Sequence, residues 1–280
     1  MPAYCLYCNI TEDQLELAMA IGYGHNMSGC VEETSPTGQR LGFYFSTEAD
    51  ALAAQGSFKE LLQLDSKIEF IEDQDWNAKW RESMEPAQIA PGMWVSPKWL
   101  EPPQEQNRVW IKIEPKMAFG TGHHETTRLA SRELIARKEQ IRGKRLLDIG
   151  TGSGILCFVA DYLGSSYSLG VEIDKDCQEN LAENLRDNPP SGKVEFLIGT
   201  LDTLKSKSKF DTVIMNMLSS ESEPLLGQIT PMMQKGGLLI WSGILISEKE
   251  EVVSSAAKFG FKLADSNTEN EWWCGSFNLQ

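Results

Sequence analysis

The sequence predicts two α/β units: a small module at the N-terminus and a larger domain built on a parallel, doubly wound sheet. The first prediction rests on residues 1–71, where apolar and amphipathic segments follow the order β-α-β-β-α-β of a ferredoxin-like module. The second rests on five apolar runs that alternate with helical segments after Lys116. A length of 280 residues suits two domains of this kind.

The elements of the first unit follow one another closely. The run AYCLYCNI predicts a strand, and residues 11–14 resemble a capping box that opens a helix ending at Ala20. Residues 27–45 predict a hairpin around the turn-rich TSPTGQR. A second helix is then expected within residues 48–64, followed by a strand at 67–71.

Residues 72–107 are predicted to be a linker that leads into the second domain, which would span 108–280. In the linker, the stretch DQDWNAKWRESM favours a short helix with Trp76 and Trp80 at i, i+4 spacing. The second domain is expected to begin with a strand, because VWIKIE alternates apolar and polar residues.

Within the second domain the predicted strands are RLLDIG, YSLGVEID, KVEFLIG, FDTVIMNML and GGLLIWSGI. Ligands of parallel, doubly wound sheets bind at the carboxyl ends of the strands. There, Gly150 and Gly152 form a glycine-rich turn between a strand and a helix, where the backbone can approach a ligand closely. Glu172 ends the next strand, and a carboxylate at that place can accept hydrogen bonds from both hydroxyls of a ribose.

The spacing of the glycines distinguishes between nucleoside ligands. A dinucleotide fingerprint has the pattern G-x-G-x-x-G, whereas Gly154 arrives one position early here. Together with Asp148 ahead of the turn, this pattern resembles S-adenosylmethionine-dependent methyltransferases more than nicotinamide-dependent dehydrogenases. Because the dinucleotide pattern is incomplete, the sequence favours a methyltransferase over a nicotinamide-dependent oxidoreductase.

Two further segments carry polar groups that suit a ligand site. The loop MAFGTGHHETT precedes an amphipathic helix; Thr126 or Thr127 is a candidate cap, and its two histidines are candidates for capping or for proton transfer. Asn216 follows the fourth strand, where its side-chain carbonyl and the next backbone carbonyls can accept bonds from an amine. The alternative for Asn216 is a residue of an ordinary turn.

Taken in order, MAFGTGHHETT, LLDIGTGSGIL, GVEID, NML and LIWSGIL resemble the PrmA family, which methylates ribosomal protein eleven of the large subunit. The resemblance implies a seven-stranded S-adenosylmethionine-dependent methyltransferase (Rossmann-like) domain and an N-terminal, ferredoxin-like α+β domain for substrate recognition. It implies transfer of methyl groups to lysine and N-terminal amines of that protein. The implied cofactor contacts are Phe119, Thr121, Thr127, Gly150, Gly152, Glu172 and Asn216, and the implied catalytic segment is Asn216, Met217 and Leu218.

The sequence departs from the family's pattern at three of these places. Lys116 stands where the family usually has Gly, which affects the hinge of the cofactor loop, and Met217 replaces a common Ile or Leu. Glu172 replaces the usual Asp, which keeps a carboxylate for the ribose and lengthens its arm. A methyltransferase for another protein or a small molecule, and a non-catalytic ribosome-assembly factor, stay open as alternatives.

The charge of the chain predicts its partners. With 26 Lys+Arg and 40 Asp+Glu the net charge is −14, which argues against direct binding of nucleic acid or an anionic membrane surface and favours a basic partner. Residues 1–70 hold ten acidic residues against Arg40, Lys59 and Lys67, a net charge of −7, so half of the charge lies in the predicted recognition domain.

The remaining expectations concern location and metals. The first residues lack a secretory signal, no apolar run reaches the length of a membrane span, and six cysteines show no disulfide framework. Together these features favour a cytoplasmic location with reduced thiols, and a monomer is expected. Cys5 and Cys8 form a lone CxxC within a predicted strand, which puts them on opposite faces, so no metal site is expected.

Overall fold

The computed structural model describes residues 3–35, 38–71, 81, 84–116, 118–204 and 209–280. The chain forms two compact units, Met1–Met84 and Glu85–Gln280. The predicted helix with Trp76 and Trp80 lies outside the described residues. Among the helices that are described, none has the length and apolar character needed to cross a membrane.

In the described part of the first unit, a four-stranded antiparallel sheet carries two helices. The strands are β1 (Ala3–Cys8), β2 (Met27–Ser35), β3 (Gly38–Phe45) and β4 (Ser66–Ile71), and the helices are α1 (Glu12–Gly24) and α2 (Glu48–Leu62). The order in the sheet is β2-β3-β1-β4, and each neighbouring pair is antiparallel. The predicted sequence of elements is therefore found, with boundaries moved by a few residues.

Strand alternation decides which side chains form the core of this unit. Leu6 and Cys8 belong to the apolar cluster with Phe43, whereas Cys5 is buried outside that cluster, as its place on the other face of β1 requires. Helix α1 extends beyond the predicted end at Ala20, because Ile21 is also buried in the cluster and the extra turn keeps it there.

The second unit contains two sheets among its described residues. The three-stranded sheet consists of β5 (Ala87–Ala90), β6 (Met93–Ser96) and β7 (Val109–Lys112). The seven-stranded sheet consists of β8 (Arg145–Ile149), β9 (Tyr167–Glu172), β10 (Lys193–Ile198), β11 (Phe210–Asn216), β12 (Met233–Leu245), β13 (Phe261–Glu269) and β14 (Trp272–Leu279). The helices are α3 (Glu125–Ala136), α4 (Lys138–Ile141), α5 (Ile155–Tyr162), α6 (Gln178–Asp187), α7 (Ser219–Ser222), α8 (Leu226–Ile229) and α9 (Lys249–Lys258).

The seven strands are arranged in the order β10-β9-β8-β11-β12-β14-β13. The pairs from β10 to β12 are parallel, and these five strands are the five apolar runs of the sequence. The strand order reverses direction between β8 and β11, which creates the crevice where such sheets bind ligands. The apolar runs did not predict β13 and β14, which form an antiparallel hairpin paired to β12.

Both faces of the large sheet are covered, as its continuous apolar strands require. Neighbouring residues of β12 belong to different apolar clusters: Ile240 to one, Trp241 to the other. The first cluster includes residues of α3 and α5, and the second includes residues of α8, α9 and β14.

Two asparagines on one face of α6 and a third directly after the helix act as hydrogen-bond partners for the end of β7 and the chain that follows it. Asn188 bonds both backbone groups of Lys112, and the Asn184 Oδ1 accepts the N–H of Glu114 at 3.0 Å. Asn180 donates to the carbonyl of Glu114 at 2.9 Å. These side chains satisfy backbone groups that no neighbouring strand reaches, and they fix the path of the chain toward the loop at 118–124.

Candidate active site

A cavity of about 810 Å³ opens at the carboxyl ends of β8, β9, β10 and β11. Five of the seven predicted cofactor contacts lie in its lining: Gly150, Gly152, Glu172, Asn216 and Phe119. Met217 and Leu218 line it as well. The cavity lies where the strand order reverses, which is where ligands of such sheets bind.

The glycine-rich turn after β8 has a conformation that favours glycine. Gly150, Gly152 and Gly154 have φ angles of 67°, 53° and 83°. A Cβ on Gly150 would lie 2.9 Å from the sulfur of Met217, and a Cβ on Gly152 would lie 2.5 Å from the carbonyl oxygen of Phe119. The turn is therefore in close contact with two other segments that line the cavity.

Ser153 joins this turn to the loop at 118–124. Its backbone N–H donates to the Phe119 carbonyl at 2.8 Å, and its hydroxyl donates to the Gly120 carbonyl at 2.7 Å. Ser153 is fully buried, so both bonds are shielded from water. They set the backbone position of Phe119 at the cavity.

Glu172 is held in place by backbone donors. Its Oε2 accepts the N–H of Gly152 at 2.9 Å, and its Oε1 accepts the N–H of Asp174 at 3.0 Å. The side chain is buried yet lines the cavity. Since each carboxylate oxygen has two lone pairs, both oxygens retain the capacity to accept from a diol.

Asn216 presents an amide oxygen without a partner. Its Nδ2 donates to the Thr127 hydroxyl at 3.5 Å, and its Oδ1 is buried with no hydrogen-bond partner among the described residues. The carbonyl of Leu218 already accepts bonds from Glu221 and Ser222. The Asn216 side chain thus provides a buried acceptor that still requires a donor.

Two of the predicted cofactor residues lie outside the cavity lining. Thr127 is fully buried, and its hydroxyl contacts Asn216. The Thr121 hydroxyl lies 3.3 Å from Nδ1 of His123. In the structure Thr127 therefore contacts a residue of the lining, whereas Thr121 contacts a residue next to His124 in the chain.

Of the candidate caps of α3, Thr126 and Thr127 are wrong, and the alternative that a histidine caps the helix is confirmed. His124 is the N-cap residue, and its Nδ1 accepts the backbone N–H of Thr126 at 3.3 Å. The imidazole replaces the usual short hydroxyl or carboxylate because it also packs against rings on both sides. His123 lies with its Nε2 2.9 Å from the carbonyl oxygen of Glu85.

Lys116, the unusual residue before the loop, forms an ion pair. Its Nζ lies 2.7 Å from Oε2 of Glu183 on α6. The neighbouring carboxylate raises the pKa of Lys116. The side chain thus anchors the backbone at the position where the family usually has a hinge glycine.

Asp148 lies beneath the glycine-rich turn. Its Oδ2 accepts the Thr151 hydroxyl at 2.5 Å, whereas Oδ1 has no partner among the described residues. Burial raises the pKa of Asp148 to about 7, and the nearby Glu172 carboxylate adds to the rise. A buried carboxyl therefore titrates close to neutral pH next to the cavity.

Sequence reasoning missed several residues of the lining, including Thr200, Asp202, Glu221 and Trp272. Thr200 and Asp202 follow β10, so the strand-end argument used for Glu172 would have found them. Trp272 opens β14, which the apolar runs did not predict. Among the described residues, no group of His, Cys, Asp and Glu side chains has the arrangement of a metal site.

Comparison with known proteins gives concordant matches. The family described as ribosomal protein L11 methyltransferase (PrmA) matches residues 23–280. A ribosomal protein L11 methyltransferase of Sorangium cellulosum is 34% identical over 207 residues, which cover 73% of this chain and 64% of that protein. Its counterpart in Salmonella arizonae is 35% identical over 210 residues, covering 74% and 69%. The matched residues thus span less than two thirds of the length of the first relative and slightly more than two thirds of the second.

A solved structure shows the same fold. The crystal structure of ribosomal protein L11 methylase from Lactobacillus delbrueckii subsp. bulgaricus aligns with a TM-score of 0.62 at 22% identity. The alignment covers 69% of this chain and 98% of the other. The central, mostly parallel sheet is therefore that of a mixed α/β methyltransferase fold.

The contact between the loop and the turn predicts the effect of a methyl group at Gly152. We expect Gly152→Ala to lower the free energy of unfolding by about 2–4 kcal/mol, because the positive φ costs about 1 kcal/mol and the Phe119 carbonyl must move. Gly236→Ala is the control, since Gly236 has a φ of 75° with open space around its Cβ position. Urea denaturation of both variants measures the difference, and equal losses would contradict the contact.

The raised pKa of Asp148 predicts a pH-dependent stability. Between the ordinary value of 3.8 and about 7, the folded protein keeps a proton that the unfolded chain releases. The free energy of unfolding should therefore fall as pH rises through this window, by up to about 1.36 kcal/mol per pH unit. Asp148→Asn removes this contribution, so its stability relative to the wild type should increase from pH 5 to pH 7.

Urea denaturation at the two pH values measures this change. Asp176→Asn is the matched control, because Asp176 is exposed in the same domain. If the stability difference between Asp148→Asn and the wild type stays constant with pH, Asp148 ionises as an ordinary carboxyl in the folded protein.

Proposed function

Because the chain belongs to the ribosomal protein L11 methyltransferase (PrmA) family, we propose that it transfers methyl groups from S-adenosylmethionine to lysine side-chain and N-terminal amines of ribosomal protein L11. The observation that carries the amine part of the proposal is the buried, unpartnered Oδ1 of Asn216 at the cavity. An amine N–H is the donor that this oxygen lacks.

The cavity suits S-adenosylmethionine in chemistry and size. Gly150 and Gly152 line the cavity without side chains of their own, and the fixed Glu172 carboxylate suits the hydroxyls of a ribose. The charged residues of the lining are Glu172, Asp174, Asp202 and Glu221, all acidic, which suits a cation. A volume of about 810 Å³ leaves room for an amine side chain beside the cofactor.

When bound, the cofactor supplies an electrophilic methyl group on a sulfonium. Asn216 accepts one amine N–H through Oδ1, and Thr127 holds the amide by accepting from Nδ2. This arrangement fixes the direction of the amine lone pair, and orientation of this kind supplies most of the acceleration of an in-line transfer. The Met217 side chain packs against Gly150, so the segment that carries Asn216 contacts the glycine-rich turn.

The lysine amine must lose a proton before it reacts, at a cost of about 1.36 kcal/mol per unit of pKa above the ambient pH. The proton leaves to solvent through the open side of the cavity. No side chain of the site has to act as a covalent nucleophile.

We propose further that the first unit is a ferredoxin-like, acidic docking domain for L11. Support comes from its β2-β3-β1-β4 strand order and from its net charge of −7 over residues 1–70. Asp13, Glu16 and Glu32 are exposed on this unit. A basic ribosomal protein is attracted by such a surface, which raises the rate of encounter and makes it sensitive to salt.

The role of Asn216 predicts a selective loss of catalysis. We expect Asn216→Ala to lower kcat about a hundredfold, because the amine loses its positioning acceptor. Asn278→Ala is the control, since Asn278 is an exposed asparagine of the same sheet. Incorporation of labelled methyl groups into hypomethylated L11, read by mass spectrometry, measures the rate and the modified amines. Calorimetry measures cofactor affinity, and a variant with normal affinity and full rate would refute this role.

The acidic surface predicts a salt-dependent encounter. Association of L11 should slow about tenfold between 50 and 500 mM salt in stopped-flow experiments, because the opposite charges are screened. Replacing Glu32 and Glu33 with Lys should slow it as well. The control replaces Glu250 and Glu251, exposed on α9 of the second unit, with Lys. Equal slowing by both double variants would show that net charge, not the first unit, governs association.

A further inference from the structure

Three aromatic rings form a continuous wall on one side of the cavity. The ring centroid of His124 lies 5.3 Å from that of Phe119 and 5.1 Å from that of Trp272. Both contacts are close to edge-to-face, with interplanar angles of 65° and 63°. All three residues line the cavity, and together they are called the aromatic wall below.

Each ring of the wall is fixed by a separate part of the fold. His124 is fixed as the N-cap of α3, and Ser153 holds the backbone of Phe119. Trp272 and Trp273 alternate at the start of β14, so Trp273 enters the core while Trp272 reaches the cavity. The wall is therefore preorganised.

The charges of the lining suit a cation. Among the described residues that line the cavity there is no Lys or Arg, whereas four side chains are acidic. Nδ1 of His124 accepts the N–H of Thr126 and lies 2.8 Å from the Thr126 hydroxyl, which fixes the central ring at the helix start.

The wall lies in the half of the cavity that contains the amine acceptor. Asn216 is bonded to Thr127 in the first turn of α3, and His124 caps that same turn. The three aromatic residues and Asn216 therefore line the same cavity. Aromatic faces attract ammonium groups, and most strongly those that carry methyl groups and are weakly hydrated.

We propose that the aromatic wall, with Trp272 as its main member, recognises the ammonium form of the acceptor and stabilises the positive charge that develops on its nitrogen. The inference rests on the proposed function. During transfer the amine nitrogen gives its lone pair to the methyl carbon, and sulfur keeps the electron pair of the broken bond. Positive charge passes from sulfur to nitrogen, so a wall beside the nitrogen favours the transition state over the neutral amine.

Binding of a cation and of its neutral analogue tests this role without turnover. The probes are N-acetyl-trimethyllysine methylamide and its analogue with carbon in place of the charged nitrogen. Titration is followed by NMR of the tryptophan indole N–H groups in the presence of S-adenosylhomocysteine. We expect the wild type to bind the cation about tenfold more tightly.

Variants separate the aromatic face from apolar contact area. Trp272→Leu should remove the preference for the cation, and Trp272→Phe should keep part of it. Trp99→Leu is the control, because Trp99 belongs to the same unit and lies outside the cavity lining. Equal binding of both probes by the wild type, or equal losses in the Leu and Phe variants, would overturn the proposal.

Trp272 also packs against the core, so Trp272→Leu can prevent folding. A second variant, at Phe119, tests the proposal in that case. Phe119 is 52% exposed, and Phe119→Leu should reduce the cation preference about threefold while the protein stays folded. An unchanged preference in this variant, with Trp272→Leu unfolded, would count against the wall.

Methylation of L11 provides a second, independent readout. Trp272→Leu should lower kcat about tenfold and leave cofactor affinity within twofold. If the wild type incorporates no methyl groups into L11, the proposed function fails. The cation preference is measured separately, so loss of that preference alone refutes the wall and leaves the proposed function intact.

Discussion

Ser153 makes the contact on which the site depends, because all of its polar groups join separate segments. Its N–H and hydroxyl bond the Phe119 and Gly120 carbonyls, and its carbonyl accepts from Asn184 of α6 at 2.9 Å. The glycine at 152 makes this possible, since a Cβ there would overlap the Phe119 carbonyl oxygen. The turn, the loop and α6 therefore form one hydrogen-bonded unit around the proposed cofactor site.

A buried carboxylate, that of Glu133, joins the segments that form the part of the cavity next to Asn216. Glu133 of α3 is almost fully buried, and it bonds Arg137 on its own helix and Asn267 and Ser276 on the β13–β14 hairpin. A buried charge is tolerated when its lone pairs are satisfied in this way. The network fixes α3 against the hairpin, so the helix start that carries His124 stays beside the strand that carries Trp272.

The sequence predicted those parts of the fold and site whose signals are local. Gly150, Glu172 and Asn216 each end an apolar strand, and parallel strands bring such ends to one edge. The hairpin that supplies Trp272 is antiparallel and partly polar, so no run of apolar residues marks it. The sequence offers both the histidines and the threonines as candidate caps of α3, and the rings that pack against His124 come from two distant segments, which sequence spacing does not show.

Lys116 stands where the family usually has a hinge glycine, and in this fold it restrains the chain ahead of the cofactor loop. The asparagines of α6 and directly after it already fix the backbone at Lys112 and Glu114, and Glu183 of the same helix holds Lys116. The chain just before position 116 is therefore already held in place. The ion pair of Lys116 with Glu183 holds one more residue of this chain, whereas a glycine would leave it free. Held by α6 before the loop and by Ser153 within it, the loop presents Phe119 in place before a ligand arrives. Such preorganisation suits a reaction that gains its rate from orientation.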